Sequence, residues 1–540
     1  MRTCFGWRLI PPELILTSSG AFLHGVAISD DQLRSIHVVE NDLIVTDDKV
    51  LTNLDMLAGI QHVGGNVEIR YNSALQDMSG LSGLQVVGGS VNIIGNRGVQ
   101  HLVGFTNLTV IGKFLRVHHN DQLEILSGFD SLSRVGRDFS IRGNSRLQSM
   151  PRMPRLKMVD GNVEVIWNEA ANAGSGMESL ELIGGGLTIK DNDNMTNLNM
   201  LSAIREISGT FELSYNGAML EVRGLDNLTS IGRLSVIDNP TLKTVCLANL
   251  SVVHGAADVK HNDRLEELEL PQLLSLGGDL KLWDNDNMTR IELPSLSSMA
   301  NLEVAWNDQL ERFATPVTST GSIAFVANHQ LKDVLMPNAT EIDGELRLAY
   351  NGALRELSSF NMLKTVAGDI NIIENEVLLD ISGLGQLRTV KGDFQVSSNP
   401  ALRDLSGLSS DLSVGGNLQI SENDDKFLGL SGMSTMPNVK GYAVLSFNCS
   451  KNAVRPPNKA TCVPCEAWHI AEDQNCRVNY TFVVIVAFIS ALSFCTVGTL
   501  SMTLRKAMAV ESISSMPGRV VLRMLERQSA RKGSTASTGL

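Results

Sequence analysis

The chain has 540 residues and a net charge of −13. An acidic surface argues against a nucleic-acid partner, which calls for a basic one. Ten histidines are scattered, and no G-x-S-x-G, H-E-x-x-H or P-loop sequence occurs, so hydrolase, metalloprotease and NTPase chemistry have no foothold.

The amino terminus, MRTCFGWRLIPPELILTSSGAFLHGVA, has early arginines and an apolar stretch ending near Ala27. Glu13, two prolines and a glycine interrupt it. Residues 1–28 read as a leader: a marginal signal peptide or an incomplete start, with the apolar segment near residue 490 as the alternative insertion signal.

From residue 29 to 448 one sentence is written repeatedly, as in VGGNVEIRYN, VGGSVNIIGN, IGGGLTIKDN and VGGNLQISEN. Its marker asparagine falls at Asn72, Asn96, Asn120, Asn144, Asn168, Asn192 and Asn216, 24 residues apart. It continues at Asn239, Asn262, Asn285, Asn307, Asn328, Asn351, Asn375, Asn399, Asn423 and Asn448, in steps of 21 to 25. Asp48 marks an earlier, capping unit. Five and three residues before each asparagine the chain is apolar (Val67/Ile69, Leu115/Val117, Phe394/Val396), with a mostly polar residue between. That period of two predicts a short strand with one buried face. Gly or Gly-Gly usually precedes it, where the chain turns tightly. The expected fold is all-β: a right-handed parallel β-solenoid of about 17–18 coils. The asparagine is expected to turn each corner, to adopt left-handed backbone angles, and to stack into a ladder that satisfies buried turn groups. DNDN at 191–194 and 284–287 raises calcium as a rival, but the Gly-Gly-x-Gly-x-Asp repeat at a nine-residue period is missing, so no metal or cofactor is expected.

The unit V-x-G-x-L-x-I-x-x-N-x-x-L-x-x-L resembles the receptor L domain, the ligand-binding module of the insulin and epidermal growth factor receptors, with related arrays in fungal cell-wall surface proteins. The resemblance covers about residues 42 to 448. It departs in length and in lacking an interrupting cysteine-rich module, since only Cys246 lies inside the array. It implies binding rather than catalysis, and no particular ligand.

Residues 449–478 hold four of the seven cysteines, Cys449, Cys462, Cys465 and Cys476. Outside a cell they are expected as two disulfides; the same spacing in the cytosol would suit zinc. From 479 to 504 there are 26 residues without a charge, which predicts a transmembrane helix over 480–504. The basic, Ser/Thr-rich tail 505–540 has a net charge of +5, placing it in the cytoplasm and the solenoid outside. Ala487, Ala491, Cys495 and Thr499 recur every four residues, a small-residue face suited to a homodimer. Sequons at Asn107, Asn194, Asn227, Asn249, Asn287, Asn338 and Asn448 are the glycosylation candidates.

The function expected is that of a single-pass plasma-membrane or secretory-pathway glycoprotein. Its solenoid binds an extracellular protein or glycan, and it is not an enzyme. A structural or adhesive coat protein is the alternative, and a polysaccharide-acting β-helix enzyme a more distant one. Tyr71, Trp167, Tyr215, Trp306, Tyr350 and Phe447 immediately precede a ladder residue, and Trp283 stands one further back. Three of five Trp and three of five Tyr thus share one sheet edge, where exposed rings serve as binding anchors. The densest part is Trp283, Trp306, Val326 and Tyr350, on four successive coils spanning about 14 Å. The sequons at 107, 227, 249 and 338 fall on another side of the coil.

Overall fold

The apolar pair in each repeat buries one face of a four-residue strand, and the strands stack in parallel. In the computed structural model these run in register from Leu43–Thr46 through Val67–Arg70 and Val91–Ile94 to Leu418–Ser421 and Ala443–Leu445. Alternate residues are buried, as in Val67 and Ile69 against Glu68 and Arg70. The described residues are 14–445, apart from 18–19, 24–25, 173–175, 406 and 424–436, together with 453–454 and 463–464. The putting-down of one strand per repeat yields a parallel β-solenoid with sixteen ladder steps from Asp48 to Asn423. Asn448, Phe447, the four clustered cysteines and the apolar segment 479–504 lie outside the described residues. Among the described residues no helix is long and apolar enough to cross a membrane.

Each coil has three sides. The long strand is one. A two-residue strand before the glycine corner is the second, as in Val86–Val87 paired with Val110–Ile111. At Glu206–Ser214 and Ser230–Ile237 these two strands run together through the corner, with a register shift between Ile207 and Thr210. The third side changes with coil length. Several coils of 24 residues use a 3₁₀ turn there, such as Ser79–Leu81 and Ser382–Leu384. Coils of 21 to 23 residues use a strand, from Glu221–Val222 to Asp333–Leu335, as do the 24-residue coils that hold His101–Leu102 and Ile125–Leu126. A 3₁₀ turn rises about 2.0 Å per residue and a strand about 3.3 Å, so the shorter coil closes the same side by extending it.

The interior is one continuous apolar cluster from Leu14 to Ile420. Part of the segment expected as a leader is strand: Leu14–Thr17 pairs in parallel with Leu43–Thr46, and Gly20–Leu23 pairs back antiparallel on it. Leu14 and Leu16 are buried in the core. A five-residue helix, Asp30–Arg34, follows, closed by a Ser29–Gln32 capping box.

The ladder is a double one. Asn96 donates its backbone N–H to Asn120 Oδ1 at 2.9 Å and its Nδ2–H to the Ile69 carbonyl of the preceding coil at 2.8 Å. The pattern repeats to Asn399 and Asn423, and every ladder asparagine from Asn72 to Asn399 is fully buried. The expectation about backbone angles needs correction. The left-handed residue is the one before the asparagine: Asp47, Tyr71, Gly95, His119, Gly143, Trp167 and so on to Glu422, with φ between 53° and 69°. That twist swings the following side chain inward, where it reaches both neighbouring coils. A side chain with a Cβ pays about 1–2 kcal/mol at such a position, partly offset because glycine loses more entropy on folding. Ala327, at φ 56°, is a small side chain there. Ala327→Gly is expected to raise stability by about 0.5–1 kcal/mol, read from a denaturant midpoint; a fall in the midpoint would contradict the strain.

Candidate ligand-binding edge

The left-handed corner sets a row of side chains along one edge of the long-strand sheet. Among the described residues seven are rings: Tyr71, His119, Trp167, Tyr215, His261, Trp306 and Tyr350. They occupy every second coil without a break. Between them stand Gly95, Gly143, Asp191, Asp238, Asp284 and Ala327. The two histidines belong to this row, which aromatic residues alone did not reveal.

Tyr71, His119, Trp167 and His261 reach toward the next coil. A Cβ on Gly95 would come within 2.7 Å of the Tyr71 ring, and one on Gly143 within 2.5 Å of the His119 imidazole, so these glycines lie under the rings. Further along, the small partner becomes an acid that holds the ring. Trp167 Nε1–H donates to Asp191 Oδ2 at 3.1 Å, and His261 Nδ1 lies 2.9 Å from Asp284 Oδ2. Tyr71, Trp167 and Tyr350 remain 57%, 49% and 43% exposed. Tyr215 and Trp306 are half-buried.

Trp283 and Trp306 meet edge to face, centroids 5.9 Å apart, a favoured aromatic geometry. The Lys260 ammonium sits 4.4 Å from the Trp283 ring centroid, and Trp283 Nε1–H is buried without an acceptor. Beyond this wall the strand register runs Trp283, Ala305, Val326, Ala349. Ala305 and Ala349 are buried and Val326 between them is half-buried, leaving a narrow apolar shelf at Val326 with Tyr350 at its far side. The predicted anchors Trp283, Trp306, Val326 and Tyr350 are therefore brought together, while Tyr215 and Trp167 lie further up the same row.

Beside the shelf, the outward strand positions carry charge. Asp258 is held by Lys260 at 2.7 Å and by Arg233. Burial works to raise its carboxyl, but the hydrogen bonds to Lys260 and Arg233 outweigh it and hold the group below its ordinary range. Burial pushes the Glu303 carboxyl up, against the pull of Lys281 and Lys260. Acids and bases do gather on one strand face here, in coils beyond Glu212. Among the described residues no group of three His, Cys, Asp or Glu is arranged to hold a metal ion.

The sequons at Asn107, Asn227, Asn249 and Asn338 have a structural use. Each donates its side-chain amide to a carbonyl of the preceding coil, those of Ser82, Ser202, Asp226 and Pro316. The hydroxyl two residues on does the same: Thr109 to Gln85, Thr229 to Arg205, Ser251 to Thr229 and Thr340 to Thr318. Asn194 and Asn287 are exposed, two residues past a ladder rung and so near the ring row. A further set of inter-coil bonds was not foreseen. At the start of the long strand Asp42, Asn66, Asp138, Asn162, Asp369 and Asp393 each accept the N–H one coil on, at 2.6–2.8 Å.

No family model and no curated protein matches the chain. Among solved structures it is similar to a TLR13–ssRNA13 complex, with 17% identity over 76% of this chain and a TM-score of 0.22. The match spans 64% of that chain. What the fold and edge define is a parallel β-solenoid that displays a regular row of rings.

Proposed function

We propose that the chain is the ligand-binding ectodomain, anchor and tail of a single-pass cell-surface protein. In this reading the solenoid is right-handed, as parallel crossovers are, of the receptor L-domain kind, and without catalytic activity. The observation that carries it is the shelf walled by Trp283 and Trp306. Packed indole rings at the edge of an open surface are what binding hot spots are made of, and Trp283 and Trp306 pack edge to face there. The uncharged stretch 479–504 and the basic tail support the membrane assignment, with the solenoid outside.

The test uses the full chain, displayed on cells and carrying a tag at each end. Protease applied to intact cells should remove the solenoid tag and spare the C-terminal one; the reverse pattern removes the surface assignment. The same material, in lipid discs, is titrated against protein, peptide and glycan libraries. Trp283→Ala with Trp306→Ala is expected to keep the circular dichroism spectrum and lose about 30-fold in affinity, the mark of a two-residue hot spot. Unchanged binding by a folded double variant rules out the shelf. Absence of any saturable binding by the parent favours a structural coat.

A further inference from the structure

We propose that the row of rings binds an uncharged β-linked polysaccharide laid along the solenoid axis, with one ring beneath every second sugar. This rests on the binding reading above and supplies its ligand class.

The spacing is the first argument. Coils stack about 4.8 Å apart, so rings on alternate coils stand about 9.6 Å apart. A β-linked pyranose in an extended chain advances by about one coil thickness. Successive sugars are turned roughly half a revolution, so only alternate sugars offer the same face to one side. A platform for such a chain wants a ring at every second coil, which is the order Tyr71, Gly95, His119, Gly143, Trp167, Asp191, each ring lying over the small residue of the next coil.

The second argument is what the rings have left to offer. The Trp167 N–H is spent on Asp191 and the His261 Nδ1 on Asp284. Each contact fixes a ring across the next coil before any ligand arrives, which lowers the ordering cost of binding. Stacking then falls to the ring faces, and Tyr71 and Trp167 stay about half exposed.

The third argument is the chemistry between the rings. Asp191, Asp238 and Asp284 place carboxylates where sugar hydroxyls need acceptors. With a chain charge of −13, they also repel an anionic polymer, so the polysaccharide is neutral. A polyproline-type peptide has a similar repeat, about 9.3 Å for three residues. Its backbone carbonyls have no internal partners and call for donors, whereas the positions between the rings at Asp191, Asp238 and Asp284 carry carboxylates.

The test is calorimetry on the full chain in lipid discs, with β-linked glucose and N-acetylglucosamine oligomers from two to eight sugars. A proline-rich peptide and an anionic polysaccharide form separate arms. The variants are Tyr71→Gly and Trp167→Gly. Glycine is native at the equivalent positions 95 and 143 with the same left-handed backbone, so the fold is kept; circular dichroism and the melting temperature check it. Affinity for neutral oligomers is expected to rise in steps of two sugars, and each variant to weaken the longest oligomer about 3- to 10-fold. The proposal is overturned if no neutral oligomer binds, if folded variants bind all lengths unchanged, or if only the peptide or the anionic polymer binds. Loss of this proposal with Trp283- and Trp306-dependent binding intact leaves the binding function standing; loss of both removes it.

Discussion

Asn216→Ala is expected to destabilise the solenoid by about 2–4 kcal/mol. Asn216 Oδ1 accepts the Asn192 N–H at 3.2 Å, and Nδ2 donates to the carbonyls of Ile189 and Ser214 at 3.0 Å each and to Asn239 Oδ1 at 3.2 Å. Alanine leaves a buried amide N–H without its acceptor and breaks the chain of side chains in both directions. Asn216→Asp separates the two halves of the role. It restores the acceptor, but an ionised carboxylate cannot donate and would face two carbonyl oxygens. At neutral pH it should do no better than alanine, and it should recover as acid protonates it. Asp48 obeys the same rule at the head of the ladder, where its Oδ1 accepts from the N–H groups of Val50 and Leu51. Denaturant unfolding gives the magnitude, and hydrogen exchange should confine the loss to neighbouring coils, because solenoid stability is a sum of near-neighbour contributions. Parent-like melting of Asn216→Ala would refute the ladder as a source of stability.

Phe129→Ala should cost about 3–5 kcal/mol. Phe129 and Phe105 are fully buried and stack with centroids 5.2 Å apart and planes within 6°. They sit nine residues after successive ladder asparagines, so one ring lies over the other along the stack. Backbone bonds on both sides fix the coil spacing, such as Ser127 N–H to the Leu102 carbonyl at 2.9 Å. The walls cannot close on the space a missing ring leaves. Phe129→Leu should recover most of the loss. A cost below about 1 kcal/mol for alanine would mean that the coils do move together, contrary to the close packing of protein interiors.

The ladder could be read in the sequence because one residue type does one job at a nearly fixed interval. The strands could be read because the apolar pair keeps a period of two. The left-handed corner was assigned to the asparagine, whose side chain tolerates that region, when it belongs to the residue before it. No single residue type marks that position: Tyr71, Gly95, Ala327 and Ser398 all hold it, since the neighbouring coils impose the angle. The acceptors at the strand start were hidden because Phe114, Gly186 and Thr210 interrupt them and Ser90 substitutes a hydroxyl. The sequons at 107, 227, 249 and 338 show the converse difficulty. N-x-[ST] is a glycosylation signal, and it is also the pair of side chains that braces one coil against the previous one. The Trp283 wall was visible as two indoles near one edge, but the cations beside it were not, because Lys260 and Trp283 are brought together by register between coils.

The alternation along the edge gives this chain a parity. A ladder step is indifferent to how many steps precede it, so whole coils can be gained or lost with the core and its hydrogen bonds renewed at the new junction. The ring row is not indifferent. Excising residues 97–144, two coils, would leave Tyr71, Gly95 and Trp167 in sequence and the beat unbroken. Excising only 97–120 would set Gly95 against Gly143 and put every later ring out of phase with the earlier ones. The edge of such a solenoid stays in step only when coils are gained or lost in even numbers, so the ring row repeats over two coils while the ladder repeats over one.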